Sequence, residues 1–184
     1  REVFTAHGFC DECLDTTQVV GERLTRTPGS EISPVIAGDA TAWIAGEPAG
    51  RLVVADSRGQ GAQPVSRGEV WSAGEAGDAL VYVDVDEEAI IRRAPNGQQV
   101  RLAPLTDFDS AIIGVAGSAE GAAWLSLKNG TMSFVDPSGQ VKTERLPDLA
   151  GDTLLSIAAG GGSVAFGGKS GALYLWQPGS GPVN

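Results

Sequence analysis

Apolar residues along this chain fall in short runs separated by glycine, proline and small polar residues. Between residues 122 and 146 the runs AAWLSL and TMSFVD flank an Asn-Gly pair, PSGQ follows, and VKTERL then alternates polar and apolar side chains. A pair such as Asn-Gly or Ser-Gly between two strand-like runs is a hairpin signal. Apolar stripes with helical spacing do not extend beyond two turns anywhere in the sequence. The pattern therefore predicts an all-β chain of consecutive hairpins.

The same pattern returns along the chain with a period of about 40 residues. Residues 122–146 align without a gap on 163–181, on 80–102 and on 3–24, and with one inserted residue on 41–60. Gln140 then aligns with Gln18, Gln60 and Gln98. We therefore predict one domain, 1–184, built from five repeats at about 1–28, 32–67, 69–105, 110–148 and 153–178.

Four short strands in about 40 residues are typical of a β-propeller blade, whose strands are here lettered A to D from the axis outward. Two aligned columns support blades because each column repeats one large apolar residue per unit. One column holds Trp43, Tyr82 and Trp124 on strand B, and the other holds Leu52, Ile90, Met132 and Leu173. We expect both columns to be buried between neighbouring sheets. The predicted fold class is all-β, a β-propeller of about five blades.

Both terminal repeats lack a strand in this alignment. The last repeat ends at Trp176, because the tail QPGSGPVN supplies no fourth strand, and the first has only strands B, C and D, near 2–5, 9–14 and 18–25. Since proteins avoid bare sheet edges, we expect part of a larger propeller, an open arc whose ends are covered from outside. The cover would be a protein partner or the remainder of the parent polypeptide. The alternative is closure within the chain by a strand ladder between 1–25 and 154–178.

The segment WLSLKNGTMSFVDPSGQV, residues 124–141, resembles the blades of bacterial propeller repeat proteins of the NHL, YVTN and quinoprotein-like kind. A WD40 propeller is disfavoured, because Ala55-Asp56 and Val135-Asp136 stand where Trp-Asp would end the third strand. The resemblance implies a binding platform, as in most such proteins. In a minority of them it implies a lyase, a lactonase or a quinone-dependent dehydrogenase.

Charge and composition narrow the possible partners. The chain carries 23 acidic and 13 basic residues, a formal net charge of −10, which argues against nucleic acid or an anionic membrane as the main partner. No apolar run reaches the roughly 18 residues of a membrane span. Hydrophobic residues make up 42% and charged residues 20%, which fits a globular protein with a core.

The segment HGFCDEC contains the only histidine, His7, together with Cys10 and Cys13. A CxxC pair near a histidine could hold zinc or form a redox pair. However, the repeat alignment puts both cysteines in core columns, and residues three apart on a strand point to opposite faces. Core thiols are the favoured interpretation, and a disulfide, with each other or with a partner, and a metal site stay open.

Other chemical motifs are few. Asp84, Asp86 and Glu88 supply oxygen ligands of the kind that calcium takes, but without EF-hand spacing, so a solvated turn is favoured. The glycine-rich stretch 158–163 is neither a phosphate-binding loop nor followed by a helical pattern. The strand A segments are small and apolar, with Glu69 as the exception. We therefore predict no catalytic residue, no cofactor and no metal.

The candidate site is a rim of loops, because function concentrates on loops held by a rigid scaffold. In a propeller the B–C turns and the D–A connections lie on the same rim. The predicted binding residues are Glu47, Asp86, Glu87, Glu88, Lys128, Asn129 and Lys169, with His7, Arg67, Asp107 and Asp109 nearby. We predict a non-catalytic binding or scaffold domain of a bacterial protein that is extracellular or attached to the cell surface. The alternative is a propeller enzyme of the lyase or lactonase type with an axial metal site.

Overall fold

The computed structural model describes residues 2–4, 19–21, 29–46, 49–104, 112–126, 131–146, 154–179 and 181–183. Every regular element in these ranges is a β-strand, which confirms the all-β prediction. In the same ranges no helix has the length and apolar character to cross a membrane.

The strands form a small sheet followed by four blades in chain order. The small sheet pairs β1 (Glu2–Phe4) with β2 (Val19–Gly21). Each blade is an antiparallel meander whose strands take positions A to D in sequence order. Blade I has β3 (Glu31–Ala37), β4 (Ala40–Ala45), β5 (Arg51–Asp56) and β6 (Gln63–Pro64); blade II has β7 (Val70–Ala76), β8 (Ala79–Asp84), β9 (Ala89–Arg93) and β10 (Gln99–Pro104). Blade III has β11 (Ile112–Ser118), β12 (Gly121–Ser126), β13 (Thr131–Val135) and β14 (Val141–Arg145); blade IV has β15 (Leu154–Gly160), β16 (Ser163–Gly168), β17 (Leu173–Gln177) and β18 (Gly181–Val183).

The first strands of blades II and III lie side by side and parallel, as strands around a propeller axis must. Ala76 pairs with Ser118, and the Gly77 amide donates to the Ser118 carbonyl at 3.2 Å. A Cβ atom on Gly117 would lie 2.1 Å from the backbone nitrogen of Glu75. The two backbones therefore touch, and only glycine fits at position 117.

Successive blades pack face to face through apolar side chains. All six residues of β8 are buried, because alternate side chains of a strand point to opposite faces and both faces are covered. Tyr82 belongs to the core shared with blade I, and Val83 belongs to the core shared with blade III. Three such cores fill the spaces between the four blades.

The aromatic column is confirmed. Trp43, Tyr82 and Trp124 lie on strand B of successive blades and are only 8%, 1% and 4% exposed. The structure adds Phe166 to this column. Trp124 pairs with Ser133 in blade III, and Phe166 pairs with Tyr174 at the same place in the ladder of blade IV. The gap-free alignment placed Ala165 there instead, since the B–C turn of blade IV is shorter by one residue than that of blade III.

The second column is confirmed for three of its four residues. Leu52, Ile90 and Met132 are fully buried, but Leu173 is 73% exposed, so its predicted burial is wrong. Leu52, Ile90 and Met132 each face the next blade, which buries them. Leu173 is exposed because it lies on blade IV, the last described blade.

The prediction that the last repeat lacks a fourth strand is wrong. The tail does form a fourth strand, because β18 pairs with β17 and Trp176 lies opposite Pro182. Proline is tolerated there because strand D is an edge strand. In the first repeat Val3 pairs directly with Val20, whereas the prediction had a strand near 9–14 between them, and that segment lies outside the described residues. Among the described strands none links 1–25 to 154–178.

The C–D turns share one hydrogen-bond pattern, which explains part of the sequence repeat. The Asp56 amide donates to the Gln60 carbonyl at 3.0 Å, and the Gln60 amide donates to Asp56 Oδ1 at 2.8 Å. In blade III the Asp136 amide donates to the Gln140 carbonyl at 3.1 Å, and the Gln140 amide donates to Asp136 Oδ1 at 3.0 Å. The pattern accounts for the recurring aspartate, while nothing in it explains the glutamine side chain.

We expect Trp124→Ala to lower the free energy of unfolding by about 3–5 kcal/mol, because the cavity would lie between two rigid sheets. Urea denaturation followed by circular dichroism measures the loss. Val100→Ala is the control, because Val100 is 45% exposed and its truncation should change stability by less than about 0.5 kcal/mol. A Trp124→Ala loss no larger than the control's would contradict face-to-face blade packing.

We also expect Asp136 to titrate below an ordinary aspartate. The Ser138 hydroxyl donates to Asp136 Oδ1, and this bond, followed by that from the Gln140 amide, lowers the pKa of the Asp136 carboxyl. A lowered pKa contributes stability that is present above the ordinary aspartate pKa and lost as the pH falls through the folded value. Carboxyl NMR titration should show the pKa of Asp136 rising in Ser138→Ala and unchanged in Ser57→Ala. Equal values in wild type and Ser138→Ala would contradict the assignment.

Candidate functional site

The B–C turn of blade II is an acidic turn held in place by hydrogen bonds. Asp84 ends β8 and is only 1% exposed, and its Oδ1 accepts the Glu87 amide at 3.0 Å. The Glu88 amide closes the turn on the Val85 carbonyl at 3.2 Å, with Glu88 at φ +47°. The buried aspartate therefore fixes a turn whose other carboxylates, Asp86, Glu87 and Glu88, are exposed. These three carboxylates are called the acidic turn below.

The connection that enters blade II packs directly against this turn. Asp86 Oδ2 accepts the Glu69 amide at 3.0 Å, and the Glu69 carbonyl accepts the Val85 amide at 2.8 Å. A Cβ atom on Gly68 would lie 2.5 Å from Asp84 Oδ1, so only glycine fits between the two segments. The B–C turn of blade II and the connection that enters this blade therefore lie on one rim.

A buried serine ties the same connection to blade I. Ser66 is 3% exposed, and its hydroxyl accepts the Leu52 amide at 3.0 Å and donates to the Gly68 carbonyl at 2.8 Å. The Arg51 guanidinium donates to the Ser66 carbonyl at 2.6 Å. The rim between blades I and II is thus a continuous hydrogen-bonded surface.

Acidic side chains outnumber basic ones on this rim by four to three. Asp86, Glu87, Glu88 and Glu69 are exposed there, and so are Arg51, Arg67 and Arg101. The Arg101 guanidinium donates to the Glu88 carbonyl at 3.1 Å. Burial raises the pKa of Tyr82, and the carboxylates of Asp84 and Glu87 raise it further, so the phenol stays neutral beneath the turn. The arrangement can bind a cationic group at its surface, and it offers no nucleophile or base in hydrogen-bond reach of another.

The other predicted rim residues are placed only in part. Lys169 is exposed on the B–C turn of blade IV, two blades away from the acidic turn, and the structure does not bring them together. Arg67 is exposed in the connection before β7. The remaining predicted residues lie outside the described part of the chain: Glu47, Lys128, Asn129, His7, Asp107, Asp109, Cys10 and Cys13.

The calcium alternative is not supported by the turn itself. Asp84 Oδ1 and Asp86 Oδ2 each accept a backbone amide. In the described ranges no group of three or more acidic, histidine or cysteine side chains is placed to hold a metal ion.

The innermost strands carry more charge than the sequence segments suggested. Glu31 begins β3 and Glu75 lies within β7, whereas Glu69, the predicted exception, lies just before β7 in the connection. The sequence analysis missed Glu31 and Glu75 because it considered only the apolar central part of each innermost strand.

The structure also shows a cleft that the sequence did not reveal. Its volume is about 440 Å³, and it lies between blades I and II at the A–B and C–D turns, on the rim opposite the acidic turn. Its polar lining consists of Asp39, Asp56, Asp78 and Arg93, and Val54 and Leu80 contribute to its apolar wall. Each of these residues belongs to an ordinary turn or strand end, so only the pairing of two blades brings them together.

Comparison with known proteins supports the propeller fold and shows that the sequence is similar to that of an enzyme. No family model matches the chain. It is 30% identical over 129 residues to virginiamycin B lyase of Nocardia farcinica, a match that covers 70% of this chain and 46% of the lyase. The chain therefore spans about half the length of the curated relative that it matches.

Solved structures agree at the level of the fold. Virginiamycin B lyase from Staphylococcus aureus superposes with a TM-score of 0.54 at 14% identity, covering 83% of this chain and 57% of that one. A catalytically inactive histidine-to-alanine variant of that lyase, with quinupristin, gives a TM-score of 0.52. The extracellular domain of a two-component system protein from B. thetaiotaomicron gives 0.59 at 15% identity, over 89% of this chain and 23% of that one. Together with the four blades, these matches show that the chain has an all-β propeller fold.

Proposed function

We propose that the protein is a non-catalytic binding domain that engages a protein partner through the acidic turn and its rim. The observation that carries the proposal is the construction of this turn. A buried aspartate, a glycine that admits no side chain and four hydrogen bonds donated by backbone amides hold three exposed carboxylates on the blade. Loops fixed on a rigid scaffold lose little entropy on binding.

Charge complementarity indicates the kind of partner. Acidic residues on a rim speed the encounter with a positively charged surface and select against negatively charged ones. The overall charge of −10 acts in the same direction. A basic surface of another protein is therefore the proposed partner, and nucleic acid is disfavoured.

An extracellular or cell-surface location and a bacterial source are part of this proposal. The support is the match to an extracellular domain and to bacterial propellers. Coverage of the terminal blades by other protein is also proposed, and its form is argued in the next subsection.

We expect the charge reversal Glu87→Lys with Glu88→Lys to abolish partner capture, because it inverts the field of the rim without touching a buried group. Immobilised protein would be exposed to isotope-labelled secreted proteins of the source organism, and the retained proteins would be quantified by mass spectrometry. Asp39→Lys with Asp78→Lys is the matched control, since it makes the same charge change on the opposite rim. If the control removes the same partners, or if the Glu87 and Glu88 variant keeps them, the acidic rim is not the binding surface.

The second candidate function is an enzyme of the lyase type, which the sequence match to virginiamycin B lyase favours. The lyase whose structure matches here is inactive when one of its histidines is replaced by alanine. This chain has a single histidine, His7, outside the described residues. A histidine-dependent reaction carried out by these 184 residues would therefore have to use His7.

We expect the protein to leave virginiamycin B and quinupristin unchanged, because the described blades offer no paired acid and base. Mass spectrometry after incubation with each compound, with and without Mg²⁺, checks this, with virginiamycin B lyase as the positive control. Turnover that disappears in His7→Ala would replace the binding proposal by the enzymatic one.

A further inference from the structure

Blade IV presents a sheet face that no other described strand covers. Val164, Phe166 and Trp176 point toward blade III and are fully buried or nearly so. Alternate residues of the same strands point to the other face. There Leu173 is 73% exposed and Leu175 is 45% exposed.

The same positions in the earlier blades are buried, which the strand registers establish. Leu52 pairs with Ile44, Ile90 with Val83 and Met132 with Leu125, and Leu173 occupies the same place opposite Gly167. Leu52, Ile90 and Met132 have no exposed surface. Likewise Phe134, opposite Ala123, is 8% exposed, whereas Leu175, opposite Ala165, is 45% exposed. The exposure of blade IV is thus a property of its position and not of its residues.

In each earlier case the cover is the blade that follows in the chain. Leu52 shares a core with Tyr82, Ile90 shares one with Trp124, and Met132 shares one with Phe166. In each case the aromatic residue of strand B in the next blade belongs to that core. The three faces equivalent to the exposed face of blade IV are therefore each packed against the following blade.

The chemistry of the face agrees with an inter-blade contact. Ser156 and Ala158 on β15 lie opposite Gly167 and Ala165 on β16, so the face has small residues around the two leucines. None of these side chains is charged, in a chain whose net charge is −10. Gly167 takes the place of Ile44, Val83 and Leu125, which leaves room for a larger ring than the earlier faces admit.

We propose that this face binds a further blade of the same repeat, placed after blade IV in the same polypeptide as each described blade is placed after the one before it. A large aromatic residue, tryptophan by size, on strand B of that blade packs against Leu173 and over Gly167. This inference does not depend on the proposed binding function of the rim.

The test adds a blade to the protein. A copy of residues 105–146, which includes the connection before blade III and Trp124, is joined after Asn184. The extended chain should unfold in urea in one transition with a higher midpoint than the 184-residue chain.

The double substitution Leu173→Lys with Leu175→Lys should remove this gain in the extended chain and leave the midpoint of the 184-residue chain nearly unchanged. Val100→Lys, at a position as exposed as Leu175, should act equally in both chains. Lysine in place of the copied Trp124 should also remove the gain.

Three results would overturn the proposal. The added blade unfolds as a separate transition or stays unfolded, so that the midpoint does not rise. The double substitution has the same effect with and without the added blade. Sedimentation shows that the 184-residue chain is a dimer which the double substitution dissociates, a result that would assign the face to a second copy.

Discussion

The structure depends on one constraint: each blade is a sheet with two apolar faces, and both must be covered. In β8 every residue from Ala79 to Asp84 is buried, and such a strand could not exist in an isolated hairpin. Apolar surface removed from water contributes about 25 cal/mol per Å², and here three cores between neighbouring sheets bury apolar side chains. The order of the blades, the closeness of their first strands and the position of the turns all follow from this stacking. The acidic turn is rigid because the strand beneath it is packed on both sides.

Much of this architecture could be predicted from the sequence, because packing slots repeat in it. Trp43, Tyr82 and Trp124 were assigned to equivalent buried places from their spacing alone, and the structure confirms them. The same method failed for Leu173. The alignment shows that an apolar residue recurs at this position, but it does not show whether a following blade is present to bury it. It also failed at β18, where Gly181 and Pro182 gave no strand signal although an outermost strand tolerates both.

The candidate site could be predicted only to the level of its turns. The carboxylates of Asp86, Glu87 and Glu88 were found because a charge run between two strands must lie on a loop. The role of Asp84 in fixing that loop needed coordinates, because a buried aspartate looks the same in sequence as an exposed one. The cleft was missed for a different reason: Asp56 and Arg93 come from different blades, and no local pattern links them.

The one-sided packing of blade IV has a consequence for how the protein loses structure. Among the described strands each ladder of the four blades joins strands within one repeat or the first strands of blades II and III, and one isolated bridge joins Gly50 to Val70. Stability in such arrays is close to a sum over units and nearest-neighbour interfaces. A unit with a single interface opens at lower free energy than one held between two. In these 184 residues amide hydrogen exchange should therefore be faster in blades I and IV, which share one core each with a described neighbour, than in blades II and III, which share two.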